Sequence, residues 1–174
     1  MFDAQYENVS HPLRVTPLSQ LARAGGLGLG AERSYMAPVL FWIAQGQGRF
    51  SVEGAMRGYT SHNAIFLPAN VAHSIEISPR CQGTAIFFAE KSHLPFPAQE
   101  LHLRLQGVQT QSEMSGLVED LRVEAQGRNA DRDLVLYHRA ALTLLWLNRQ
   151  TGRLPVVQDH RVSDMLRAIA QPKR

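Results

Sequence analysis

The chain predicts a mainly β domain with C-terminal α-helices, built as a small antiparallel β-barrel or sandwich. Between Val39 and Phe88, short apolar runs are separated by Gly, Pro, Asn and Ser clusters at intervals of roughly ten residues, which is typical of such folds. After Pro97 the apolar residues change to helical spacing. The chain has 174 residues, of which 44% are hydrophobic, so it can form one domain with a buried core.

The strands follow from their individual patterns. The run Val39–Ala44 is apolar throughout and predicts a strand buried on both faces, whereas Arg49–Glu53 alternates and predicts a half-buried strand. The segment Gly46-Gln47-Gly48 supplies the turn between them, and Gly54–Gly58 is interpreted as the next turn. Further strands are expected at Ala64–Leu67, His73–Ile77, Thr84–Ala89 and Leu101–Leu105.

Two long helices are expected after the strands. The first carries apolar residues at helical spacing from Met114 to Leu121, with Ser112 as its expected N-cap. The second begins at Asp131 or Asp133 and is apolar on two faces. One face is expected to pack on the barrel or the first helix, and the other on a second copy of the chain; a fully enclosed core helix is the alternative. The expected dimer-interface residues are Leu134, Ala141, Leu142, Leu145 and Asn148.

Composition excludes several classes of function. The formal net charge is +3 and the basic residues are scattered, so no stripe that would bind nucleic acid is predicted. The single cysteine, Cys81, excludes an internal disulfide and a multi-cysteine zinc site. The N-terminal residues do not form a signal peptide, and no apolar run approaches the ~20 residues of a membrane span. A soluble, cytoplasmic protein is expected, with no membrane partner.

The segment from Pro68 to His73 resembles the second motif of the cupin fold family. Pro68, Asn70 and His73 fall on its proline, glycine and histidine places. Asparagine is the natural replacement for glycine where the backbone turns left-handed. His62 occupies the place of the leading glycine, and Ile77 the place of the final asparagine.

The first cupin motif, counted back from Gly46, departs from the family pattern. Val39 stands where the resemblance places a glutamate metal ligand. The two histidine places fall on Arg33 and Tyr35 or, one residue earlier, on Glu32 and Ser34. Because transition metals need several convergent His or carboxylate ligands, the resemblance implies a metal-free cavity without a cofactor.

Strand alternation extends this resemblance to a ligand pocket. If Val39 and His73 point inward as their places in the family imply, every second residue on their strands does the same. The expected ligand-binding residues are Arg33, Tyr35, Phe41, Ile43, His73, Ile75 and Phe87. Arg33 would pair with a carboxylate through its planar fork, so a carboxylate or a polyol is the expected ligand. His73 and Tyr35 could equally be structural core residues.

The order of parts resembles the effector-binding half of an AraC-type transcriptional regulator. This resemblance covers about Gly30 to Arg149. It implies an N-terminal arm and approach to the first strand over 1–30, a cupin-like effector-binding barrel (jelly roll) over 31–106 and a helical dimerisation region over 109–150. Residues 151–174 would be a linker and the start of a helix-turn-helix region whose remainder is absent. DNA would be bound only through that missing region.

The leading hypothesis is therefore an effector-sensing, dimerising domain of a transcriptional regulator that is not an enzyme. Two alternatives stay open at this point. One is a metal-dependent cupin enzyme, such as a dioxygenase or isomerase. The other is a stand-alone cupin that binds a small molecule and has no DNA partner.

Overall fold

The structure, a computed structural model, describes residues 13–23, 37–89 and 92–152. Its strands are β1 Leu13–Pro17, β2 Val39–Gln45, β3 Gly48–Val52, β4 Ala55–Tyr59, β5 Asn63–Leu67, β6 His73–Ile75, β7 Gln82–Phe88 and β8 Leu101–Arg104. Its helices are the short α1 Leu18–Arg23 and the long α2 Val108–Gln126 and α3 Arg132–Thr151. None of the helices in these ranges is long and apolar enough to span a membrane.

The strands form two antiparallel sheets. The five-stranded sheet has the order β1-β7-β2-β5-β8, and the three-stranded sheet has the order β4-β3-β6. The prediction of a mainly β domain followed by two helices is confirmed. The expected barrel (jelly roll) is not confirmed, because the strands that the structure describes form two separate sheets and no closed barrel.

The five-stranded sheet lies between two hydrophobic cores. In β2, Val39, Phe41 and Ile43 point to the core shared with the three-stranded sheet. The alternate residues Leu40 and Trp42 belong to the core shared with α2 and α3. All five side chains are buried, which confirms that this apolar run is covered on both faces.

The β3–β4 hairpin turns earlier than its sequence suggested. Its two central residues, Glu53 and Gly54, have φ values of 48° and 82°. Positive φ at both positions is the mark of a type I′ turn, whose twist matches that of paired strands. The predicted turn, Gly54–Gly58, is therefore wrong, because most of it belongs to β4, Ala55–Tyr59.

Part of the expected N-terminal arm is regular structure. Residues 13–17 form β1, which pairs with β7 at the edge of the five-stranded sheet. Leu13 and Val15 of β1 point to the core that the five-stranded sheet shares with α2 and α3, here called the helix-side core. Leu18 and Leu21 of α1 are buried in the core between the sheets. Apolar side chains of this short segment are buried on both sides, and Pro17 is tolerated because it is the last residue of an edge strand.

The helices end where their capping residues predict, but α2 begins early. It starts at Val108 after the N-cap Gly107, so Ser112 lies inside the helix and is exposed, not at its N-cap. The second long helix, α3, ends at Thr151 and is followed by Gly152, whose φ of 66° is the left-handed C-cap conformation.

A loop between β7 and β8 attaches α3 to the five-stranded sheet. The Asn148 side-chain amide donates to the Pro95 carbonyl oxygen at 3.1 Å. Phe96 packs on the sheet, stacked on Phe66 with ring centroids 6.0 Å apart and edge-on to Phe88 at 5.3 Å. Strand β7 is thus linked to α3 through one aromatic contact and one hydrogen bond.

Candidate functional site

The hydrophobic core between the two sheets, here called the intersheet interior, contains five of the seven predicted ligand-binding residues. They are Phe41, Ile43, His73, Ile75 and Phe87, and all are buried. The other two, Arg33 and Tyr35, lie outside the described residues. Whether these side chains bind a ligand remains a prediction.

Strand register explains why these residues meet. On the five-stranded sheet, Val39 is paired with Phe87, and Phe41 with Ala85, so their side chains share the inner face. On the opposite sheet Phe50 is paired with Ile75. The interior is consequently lined by aromatic and branched aliphatic side chains from both sheets.

His73 is the polar group that the cupin resemblance places in this interior. It begins β6, is buried and pairs across the ladder with Val52. Its Nδ1 lies 3.0 Å from the Val71 carbonyl oxygen. Because a carbonyl only accepts, Nδ1 carries the proton, and in the neutral ring Nε2 is the acceptor nitrogen.

The two glycine places of the cupin motif both adopt left-handed backbone. Asn70 has a φ of 62°, which confirms that this asparagine stands where a glycine-like conformation is needed. His62, at the leading glycine place, also has a φ of 62°. Both residues therefore adopt a conformation that favours glycine, although neither is glycine.

Tyr59 and Cys81 close one end of the interior. The Tyr59 hydroxyl donates to the Glu76 carbonyl oxygen and lies 4.0 Å from Cys81 Sγ. Burial, followed by the neighbouring Cys81, raises the pKa of Tyr59 above its usual range. Burial likewise raises the pKa of the Cys81 thiol, so both groups are neutral at pH 7. The glycine turn packs on this end, since a Cβ atom at Gly46 would lie 2.6 Å from Cys81 Sγ.

A second polar pair, His102 with Asn63, was missed in the sequence. His102 Nε2 lies 2.7 Å from Asn63 Oδ1, and its ring meets Phe50 edge-on at 5.1 Å. Burial is the main cause that lowers the pKa of His102, followed by the charges of Arg104 and Arg57. The alternation of leucines at 101, 103 and 105 could have placed residue 102 on the inner face.

Metal ligands do not converge in the part of the chain that the structure describes. No three His, Cys, Asp or Glu side chains there lie close enough to hold one ion. Val39, at the glutamate place of the resemblance, is buried among apolar neighbours. The described part of the interior is thus an apolar core with few polar side chains among its buried residues.

The predicted dimer residues divide into two groups on α3. Leu134 and Leu142 are each 61% exposed and Leu145 is 37% exposed, so the residues that the structure describes do not enclose α3 on all sides. Ala141 is partly buried against the helix-side core. Asn148 departs from the expectation: it is 3% exposed, because its amide is turned inward to the Pro95 carbonyl.

Comparisons with known proteins give no family assignment by sequence. No protein-family model matches the chain. No curated protein matches it either.

Among solved structures, the chain is similar to ToxT of Vibrio cholerae, an AraC-family regulator. Apo ToxT K231A from strain SCE256 gives a TM-score of 0.49 at 10% identity, over 97% of this chain and 68% of that one. Wild-type ToxT bound to an unsaturated fatty acid gives 0.45 at 11% identity, over 97% and 67%. Vicilin from Capsicum annuum gives 0.28 at 12% identity, over 82% and 37%. All three scores lie below 0.5, so the function proposed for this chain rests on its own residues.

Proposed function

We propose that the chain is the effector-sensing and dimerisation domain of a cytoplasmic transcriptional regulator, which binds a small molecule in the intersheet interior without a metal. One observation carries the proposal: the five-stranded sheet is buried on both faces. Its inner face lines the interior, and its outer face supports α2 and α3. A ligand on one face is therefore a single strand layer away from the helices on the other.

The chemistry of the interior supports binding over catalysis. Its described walls are apolar, so they would enclose the hydrocarbon part of a ligand, and His73 would supply a directional hydrogen bond. The buried Val39 at the glutamate ligand place supports a metal-free site. A carboxylate or a polyol remains the proposed ligand. Contact with DNA would require a helix-turn-helix region beyond the described residues.

A continuous route connects the interior with α3. Phe87 faces the interior and its neighbour Phe88 faces the helices, as alternation in β7 dictates. Phe88 contacts Phe96, and the preceding Pro95 accepts the hydrogen bond from Asn148 of α3. A ligand that shifts β7 would change the position of α3 through these contacts, which is the coupling a sensor needs.

The ligand test is a thermal-shift screen with octanoate, cinnamate and xylitol as aliphatic acid, aromatic acid and polyol. A ligand present at a hundred times its Kd stabilises the fold by about 2.7 kcal/mol. For a domain of this size, that raises Tm by roughly 5–11 °C. His73→Asn, which keeps a donor for Val71, should reduce the shift, whereas the same change at the exposed His138 should not. If none of the three compounds raises Tm at millimolar concentration, the proposal is contradicted. One equivalent of metal bound to the untagged protein would also contradict it.

The dimerisation test uses the exposed leucines of α3. Leu142→Glu should convert a dimer to a folded monomer in sedimentation, because a charge in the centre of an apolar interface is strongly unfavourable. The matched control is Met56→Glu, on β4 of the other sheet and 58% exposed, against 61% for Leu142. A monomeric parent protein at micromolar concentration contradicts the dimer.

A further inference from the structure

A cleft runs along the outer edge of β8. None of its lining residues is among those predicted to bind the effector, although the ring of His102 contacts Phe50 of the intersheet interior. The cleft has a volume of about 360 Å³ and is here called the β8-edge cleft. Three separate parts of the chain form it: β4, the segment that leads into and through β8, and the last residue of α3. Its lining residues are Arg57, Gln99, Glu100, Leu101, His102, Leu103 and Thr151.

The proton on His102 is assigned by the network around Asn63. Asn63 Oδ1 accepts from the Thr60 backbone N–H at 3.2 Å, and its Nδ2 donates to the Ser61 carbonyl at 3.3 Å, which fixes the orientation of the amide. His102 Nε2, 2.7 Å from Oδ1, must therefore be the donor. In the neutral ring, Nδ1 is left as a hydrogen-bond acceptor on a side chain that lines the cleft.

The backbone of β8 adds donors at the same edge. Leu105 N–H donates to the His62 carbonyl at 3.0 Å, toward β5. Backbone groups alternate in an antiparallel ladder, so the N–H groups of His102 and Arg104 point away from β5 to the open edge. Within the described residues, β8 has no strand on that side.

The charges around the cleft favour an anion. Arg57 lines it and Arg104 follows on β8, against the single carboxylate of Glu100. Arg57 Nη2 forms an ion pair with Glu100 Oε1 at 3.8 Å, a distance too long for a hydrogen bond, so the N–H donors of the guanidinium are not used by this carboxylate. With His102 neutral, these groups carry one net positive charge.

We propose that the β8-edge cleft is a second ligand site and that it takes a small hydroxycarboxylate. The carboxylate would pair with Arg57, and the hydroxyl would donate to Nδ1 of His102. A hydroxyl suits this position better than an ammonium group, because the two arginines create a positive field at His102. Asn63, which is buried, holds the ring in place from behind.

The test compares malate, succinate and aspartate by isothermal titration calorimetry on the unmodified chain. Malate carries the hydroxyl, succinate lacks it and aspartate replaces it with an ammonium group. Malate should bind saturably, with succinate and aspartate at least tenfold weaker. Succinate lacks the donor to Nδ1, and the ammonium group of aspartate is repelled by the positive field of the two arginines. No saturable binding of malate, or equal binding of malate and succinate, would overturn the proposal without the use of any variant.

Two variants then locate the site. His102→Gln should weaken malate about tenfold and leave succinate unchanged, whereas Arg57→Gln should weaken both about tenfold. Arg49→Gln is the matched control, because Arg49 faces Glu76 at the same 3.8 Å on the neighbouring strand β3. Malate binding that is unaltered by both site variants, or equally weakened by Arg49→Gln, places the ligand elsewhere and overturns the assignment.

Discussion

Replacing Gly48 with alanine should destabilise the fold through a steric conflict that the structure defines. A Cβ atom at Gly48 would lie 2.5 Å from Tyr59 Oη, 2.7 Å from Tyr59 Cζ and 2.9 Å from the Glu76 carbonyl oxygen. Real Cβ atoms do not approach other atoms so closely, so the Tyr59 ring must move. The ring is buried beside Phe50 and its hydroxyl donates to Glu76, so movement strains the core and weakens that hydrogen bond.

The two costs can be added. Overpacking a well-filled core costs about 1–3 kcal/mol, and a weakened hydrogen bond costs about 0.5–1.5 kcal/mol. Gly48→Ala should therefore lower the free energy of unfolding by about 1.5–4.5 kcal/mol. In urea denaturation, the midpoint should fall without a change in m-value.

A glycine in the same hairpin provides the control. A Cβ atom at Gly58 would meet only the Gly48 carbonyl oxygen, at 3.9 Å, which is ordinary contact. Gly58→Ala should be neutral or stabilise by about 0.4–1 kcal/mol, since alanine restricts the unfolded chain. Adding Tyr59→Phe to Gly48→Ala removes the nearest clashing atom, so the pair should cost less than the sum of the single changes. Equal stability of the two alanine variants would refute this account of the turn.

Three further predictions concern buried polar groups. The pKa of His102 is lowered in the folded state, so folding favours the neutral ring. The contribution of His102 to stability is therefore complete above the unfolded pKa of 6.5 and declines as the pH falls below that value. In urea titrations at several pH values, His102→Gln should flatten this part of the stability profile. The pKa values of Cys81 and Tyr59 are raised in the folded state, which gives the opposite pH dependence. Stability should fall as the pH rises above 9, where the thiol of the unfolded chain ionises. Cys81→Ala should remove the first part of that decline. Asn148→Ala should cost about 1–3 kcal/mol in thermal unfolding, because the Pro95 carbonyl loses its donor; no loss would show that water replaces the amide.

The β region could be predicted from sequence because its signals are local. The uninterrupted apolar run of β2 indicated burial on both faces, and alternation assigned Phe41 and Ile43 to the inner one. The predicted position of the β3–β4 turn is wrong, because glycine at position 58 indicates a turn, whereas Gly58 lies within β4. The conformation of Glu53, with positive φ on an acidic residue, has no strong sequence signature.

The polar parts of the site depend on contacts between distant segments. His102 acquires its role from Asn63, 39 positions earlier, and from Arg57 on the other sheet. Helical periodicity places Asn148 at the edge of the buried face of α3. Its amide points inward because it donates to the carbonyl oxygen of Pro95 in the loop between β7 and β8. Sequence periodicity reports which face a residue occupies, but it does not report which distant loop covers that face.

The central claim is that a small molecule binds between the two sheets, and isoleucine methyl NMR tests it most directly. Ile43, Ile65 and Ile75 line the intersheet interior, whereas Ile86 lies on the opposite face of the same five-stranded sheet. With selectively labelled methyl groups, the screen member that raises Tm most should give intermolecular NOEs to the three interior methyls and none to Ile86. Saturating ligand that shows no NOE to any of the three would contradict the claim.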